Sequence, residues 1–112
     1  IYAVSGKTTS QTWYTGSEYI FADSDTRYLT SAEVNSLSLK MACYAKNEIY
    51  ARRGRLFQSS ELAEYFRNKS WYYGRIQPGD FSDDVFNKYE LENIRVLTER
   101  EYSLDSRGYQ LS

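Results

Sequence analysis

The sequence predicts a mainly α fold: a small helical domain of three main helices plus one or two short ones, with an extended N-terminal arm and a long ordered loop. Three observations predict it. Thr30-Ser31-Ala32-Glu33 and Asn87-Lys88-Tyr89-Glu90 each have the spacing of a capping box, in which the first side chain and the fourth satisfy each other's backbone N–H groups. Leu39, Ala42, Ala45 and Ile49 share one flank of a helix at about 100° per residue. Gly54 follows the last periodic residues, at the position where a left-handed residue closes a helix. A chain of 112 residues is then one domain with a modest core.

In order along the chain, residues 1–18 are rich in Ser and Thr, with Gly6 and Gly16 and the apolar pairs Tyr2, Val4 and Trp13, Tyr14. This is the composition of a linker or of a strand belonging to a preceding segment. Tyr19-Ile20-Phe21-Ala22 is a short apolar run expected to lie extended over the helices, and Asp23-Ser24-Asp25 turns the chain. An EF-hand reading of that turn fails, because no glycine stands at the sixth position and no acidic ligands follow. The first capping box opens a helix of under two turns that carries Val34 and Leu37 inward. Ser38 then caps the main helix, which is predicted to run to about Arg53.

A third helix begins at Ser59 or Ser60, with Leu62, Tyr65 and Phe66 on its buried face, and ends over Asn68 to Ser70. Trp71-Tyr72-Tyr73-Gly74 leads into a loop broken by Pro78-Gly79, and Asp83 to Phe86 forms a single turn. The last helix is predicted from the second capping box to about Tyr102, with Leu91, Ile94, Leu97 and Thr98 facing the core. Residues 103–112 read as a polar, frayed tail.

Composition removes several function classes. Aromatics make up 17% of the chain, led by twelve tyrosines, so the core is expected to be aromatic and amphipathic. A net charge of −1 supplies no basic field for phosphates, which excludes nucleic acid as the main partner. The single cysteine, Cys43, allows no internal disulfide and lies on the apolar arc of the main helix, as a buried thiol does. No window approaches the 18 or so apolar residues of a membrane span, so membrane insertion is not expected. The chain shows no signal peptide, and its start at Ile1 reads as a piece of a longer protein.

The stretch with most chemistry is Asn47-Glu48-Ile49-Tyr50-Ala51-Arg52-Arg53-Gly54. Lys46 and Arg53 fall inside the apolar arc, so each must reach solvent or find a carboxylate. Glu48 and Arg52, four apart, are in the favourable order for a helical ion pair. The octet closely resembles the Asn-Glu-Ile-Tyr-Ala-Arg-His-Gly signature of the bacterial YARHG domain family. Tyr19-Ile20-Phe21, Ser24 and Arg27-Tyr28-Leu29-Thr30 are similar to that family's entry segment. Phe57, Leu62, Tyr65-Phe66 and Trp71-Tyr72 resemble its aromatics, and Glu90, Asn93 and Ile94 its closing helix. The likeness covers about Tyr19 to Tyr102. It implies an extracellular or cell-envelope location. Arg53 replaces the signature's histidine, and the chain has no histidine at all, which excludes any role needing an imidazole.

Asn47, Glu48 and Asn93 are read as a buried polar network tying helices together, with Asn93 placed to reach Asn47 or the Tyr50 backbone. Arg52, Arg53 and Arg55, fanning from a helix C-terminus, are the candidate binders of a carboxylate or phosphate. The plainer reading of this charged group is that Glu48 bonds the backbone or an arginine of a neighbouring segment and locks the helix–loop junction, the cations being favoured at that helix end in any case. Tyr72 and Tyr73 are candidates for a shallow sugar-stacking platform beside Trp71, itself expected in the core.

No catalytic or metal-ligating constellation is visible, and no cofactor is expected. Asp80, Asp83 and Asp84 are more simply turn formers and caps than a carboxylate pair, and a serine nucleophile would lack a histidine base. The expectation is a non-enzymatic binding module of a larger bacterial protein, its partner unknown, with a cell-wall polymer or another envelope protein in view. The alternative is a structural spacer or dimerisation domain, and a carboxylate-dependent hydrolase is more remote.

Overall fold

The computed structural model describes residues 18–112. The linker or strand expected upstream lies, apart from Glu18, outside the described residues. Four helices follow in order: α1 Ser31–Asn35, α2 Leu39–Arg52, α3 Ser60–Arg67 and α4 Lys88–Leu104, with 3-10 turns at Pro78–Asp80 and Asp83–Val85 between the last two. Both expected capping boxes form, at Thr30/Glu33 and at Asn87/Glu90. Ser38 and Ser59 cap α2 and α3 through their side chains. Each hydroxyl or amide oxygen takes one N–H that a helix start leaves unmet.

Gly54 stops α2 at φ +89°, a backbone conformation costly for any residue bearing a Cβ. From there the chain makes one parallel bridge, Arg55 to Ile76, with Leu56 N–H donating to the Ile76 carbonyl at 2.8 Å and Ile76 N–H to the Gly54 carbonyl at 3.0 Å. This bridge closes the ordered loop around α3.

Helix α2 is the centre of the molecule and is buried on two sides, as its wide apolar arc predicts. On one side Ala42, Ala45 and Ile49 pack with Leu97 of α4 and with Leu29, Val34, Leu37 and Phe86. On the other, Cys43, Tyr44 and Ala51 pack with Leu62 and Phe66 of α3, under the rings of Phe57, Tyr65, Trp71, Tyr72 and Tyr109. Burial pushes the Cys43 thiol up to about 11, the mark of an inert structural cysteine.

Two ion pairs lace α2 to α4 in antiparallel sense. Arg53 forks onto Glu90, with Nε to Oε2 at 3.0 Å and Nη2 to Oε1 at 2.6 Å, and Lys46 Nζ reaches Glu101 Oε1 at 2.7 Å. Both cations thus find the carboxylates that their place on the apolar arc demanded.

Three expectations are corrected. Leu91 does not face the core: it is 48% exposed, and its place on the inner face of α4 is taken by Glu90, Asn93, Leu97 and Glu101. A helix whose inner face carries polar groups with fixed partners defeats a reading based on apolar spacing alone. The tail is not frayed. After α4 the chain turns at Gly108 (φ +72°), and Tyr109 packs beside Tyr44 and donates its hydroxyl to Glu61 Oε2 at 2.8 Å. Tyr19-Ile20-Phe21-Ala22 does not lie extended throughout: the chain bends at Ile20 and Phe21 and turns from Ala22.

Candidate functional site

The octet of α2 divides between holding the fold and opening onto solvent. Glu48 is fully buried and accepts the N–H groups of Ile20 at 2.8 Å and Phe21 at 3.0 Å. Of the two partners expected for it, the backbone or an arginine of a neighbouring segment, it takes the backbone, and it makes no ion pair with Arg52 four residues on. Arg52 instead donates to the carbonyls of Phe21 and Ala22, both at 3.3 Å, and to the Ser24 hydroxyl. One turn of helix thus presents an acceptor and a donor to the backbone of a single segment, and the two charges serve the peptide groups rather than each other. Burial pushes the Glu48 carboxyl up to about 7, against the pull of the two N–H groups and of the nearby Arg52 charge.

Asn93 meets neither Asn47 nor the Tyr50 backbone. From the buried face of α4 its amide accepts from Leu29 N–H at 3.0 Å and donates to the carbonyls of Ser24 at 2.8 Å and Arg27 at 2.9 Å. It is the tie between α4 and the entry segment, satisfied on every side that matters to a buried amide. Asn47 ties no two helices together. Its Nδ2 donates to the Cys43 carbonyl of its own helix at 2.8 Å, which fixes the orientation of the amide. Its Oδ1 then has no partner among the described residues, and it is not among their buried unpartnered atoms.

The three arginines do not converge. Arg52 holds the entry segment and Arg53 holds Glu90, while the Arg55 guanidinium lies over the rings of Tyr50 at 5.2 Å and Phe57 at 5.5 Å. No carboxylate among the described residues pairs with it. Tyr72 is half-buried against Phe57, Phe66 and Trp71 and donates its hydroxyl to the Arg55 carbonyl at 2.7 Å, so its role is packing at the bridge. Tyr73 is open, 71% exposed, with the Arg75 guanidinium on its ring. Trp71, half-buried, is stacked on Tyr19 at 4.8 Å and donates to the Glu18 carbonyl. Its ring face is therefore covered, and no three-ring platform forms.

What the tertiary structure does assemble is a groove of about 380 Å³ between α2, α4 and the turns after Ile76, with Lys46, Asn47, Tyr50, Arg55, Phe81 and Asp83 among its walls. The Tyr50 ring is fixed edge-on to Phe86 at 5.1 Å and tilted against Phe81 at 5.6 Å. Burial, with Asp83 adding to it, pushes the Tyr50 phenol above its ordinary value, opposed by Arg55 and Lys46. The groove therefore presents a neutral hydroxyl, an amide oxygen, a guanidinium and a carboxylate together. Lys46 is already held by Glu101.

A family model, the YARHG domain, matches residues 17–102 of the chain. The chain belongs to the YARHG family. No curated protein and no solved structure gives a match. The signature that names the YARHG domain now has a physical content in this chain. Glu48 and Arg52 bind the entry segment, Arg53 binds the start of α4, Gly54 supplies the positive φ, and Asn47 and Tyr50 line the groove. Arg53, standing where the signature has histidine, uses the fork of a guanidinium on a buried carboxylate. The groove's far wall was missed by sequence reasoning. Phe81 stood in an unassigned loop and Asp83 passed as a turn former, and nothing in spacing connects them to Asn47. Among the described residues no helix is long and apolar enough to cross a membrane, and no group of His, Cys, Asp and Glu is arranged to hold a metal ion.

Proposed function

We propose that this YARHG domain is a non-catalytic binding module acting in the bacterial envelope or exterior, and that its groove engages a cell-wall polymer. One observation carries the reading. Asn47, 8% exposed, leaves Oδ1 without a partner among the described residues, in a groove that also holds the Arg55 guanidinium, which meets no carboxylate among them. Buried amides in a folded interior find both partners; one half-satisfied at the wall of a polar groove is placed for a ligand. The location rests on the family. The non-catalytic reading is supported by the acids at hand: Glu101 is engaged by Lys46 and by the Tyr109 N–H, which leaves Asp83 alone where hydrolysis of a glycosidic bond needs a pair.

Retention of the domain on purified bacterial cell wall is the direct test. The wild-type chain is expected to be retained and Arg55→Gln to elute earlier while still folded, its stability lowered by no more than about 1 kcal/mol for the lost ring contacts. A wild-type chain that passes straight through ends the proposal.

The second reading, a spacer or dimerisation domain, draws on the outer side of α4. There Tyr28, 50% exposed, and Leu91, 48% exposed, border an apolar groove of about 660 Å³. Light scattering separates the readings: a dimer dispersed by Leu91→Lys would favour the second.

A further inference from the structure

The polar groups of the Asn47 groove fall into two sets once those with partners among the described residues are removed. Lys46 is satisfied by Glu101, and the Asn47 Nδ2 by the Cys43 carbonyl. On the accepting side remain the Asn47 Oδ1 and the Asp83 carboxylate. On the donating side remains the Arg55 guanidinium, and the Tyr50 hydroxyl can do either. Arg55 and Asp83 line the same groove without forming an ion pair with each other or with any other described residue. Both act on the Tyr50 phenol, in opposite directions, so they stand on its surroundings as two separate charges.

A ligand that is only an anion would satisfy Arg55 and be repelled by Asp83. A cation would meet the reverse, and a neutral sugar would leave both charges unused. A ligand that fills the groove strips water from its walls, and a charge then left uncompensated is the costly outcome. We propose that the group recognised here is zwitterionic, a carboxylate taken by Arg55 and a protonated amine shared by Asn47 Oδ1 and Asp83, as on a free amino acid or a short peptide with both ends unblocked. This rests on the binding-module reading and deepens it, assigning the groove to peptide material that carries a free amine and a free carboxylate rather than to the sugar strand of a cell-wall polymer.

The probes are alanine, alanyl-alanine, N-acetyl-alanyl-alanine, alanyl-alanine amide and N-acetylglucosamine, titrated into the ¹⁵N-labelled full chain. The zwitterions are expected to move the Asn47 side-chain amide and the Arg55 Nε–H resonances. Each blocked dipeptide should bind roughly tenfold more weakly than the open one, the loss of one charge-assisted contact. Alanine against alanyl-alanine tells whether the two charges belong to one residue or to two. Arg55→Gln should abolish the preference over the amide form, and Asp83→Asn the preference over the acetylated form. Both side chains lie outside the core, so a changed preference is not a folding effect. Equal binding of open and blocked forms, or strongest binding of the neutral sugar, overturns the proposal. If the chain is retained on cell wall yet no charged probe moves these resonances, the zwitterion fails and the binding module stands; if it is not retained, both fail.

Discussion

Two asparagines that look alike in the sequence have opposite duties at the scale of the single residue. Asn93 sits in the core with three protein partners, all on the backbone of residues 24–29. Asn93→Ala leaves a buried N–H and two carbonyls without their partner and is expected to cost about 3 kcal/mol or more of stability. Asn47→Ala removes only bonds to Cys43 of its own helix, to the carbonyl and more weakly to the sulfur, so it should cost about 1 kcal/mol while weakening ligand binding. Paired chemical-denaturation curves check the contrast. Equal losses in the two variants would mean that Asn47 is a structural tie after all. Burial alone does not separate these residues, since both are buried; what separates them is the number of protein partners each finds.

The element scale belongs to the clamp that α2 places on residues 20–24. Burial raises the Glu48 carboxyl, whereas Glu18, Glu33, Glu61, Glu92 and Asp105 are lowered by their hydrogen-bond partners. A folded-state pKa of about 7 against an ordinary 4.5 means that the folded chain holds this proton more tightly than the unfolded chain. The stability it contributes is therefore complete below about 4.5 and is lost as pH rises through about 7. The lowered carboxyls work in the opposite sense and only on the acid side, as with Glu33, which is held down to about 2 chiefly by Arg27. The unfolding free energy should thus fall by something on the order of 1–3 kcal/mol between pH 4.5 and 7.5. Glu48→Gln, which has no proton to lose, should flatten that slope. A wild-type profile already flat in this window would show that the two N–H groups and Arg52 offset the burial.

For the whole molecule, the C-terminal segment is the part whose role changes most. Glu101 is 3% exposed and divides its oxygens between Lys46 Nζ and the Tyr109 N–H, at 2.7 and 2.9 Å. Glu61 likewise gathers the Tyr44 hydroxyl at 2.5 Å, the Tyr109 hydroxyl at 2.8 Å and the Ser112 N–H at 3.1 Å. The segment after α4 therefore closes one side of the core and, through Glu101, holds the lysine at the edge of the groove. Removing residues 105–112 uncovers Tyr44 and leaves both acids short of a donor. The expected result is a loss of about 2 kcal/mol, read as a lower melting temperature with cooperative unfolding retained. A truncated chain that melts with the full one would mean that the docked tail contributes nothing.

Local physics made most of the architecture legible. The caps at Thr30, Ser38, Ser59 and Asn87, the glycine stop at Gly54 and the wide apolar arc of α2 all depend on neighbours within a few residues, and each could be read from spacing. The need of Lys46 and Arg53 for carboxylates was equally readable, because a cation on an apolar arc must be compensated.

Which carboxylates they meet was decided only by the tertiary structure, as were the partners of Glu48, Arg52 and Asn93, which lie 27 or more residues away. The same holds for the groove, whose walls come from α2, α4 and a loop with no periodicity of its own. Hydrogen bonds and ion pairs are short-ranged in space but indifferent to distance along the chain. Sequence pattern therefore states that a buried polar group requires a partner, and only the folded backbone selects it.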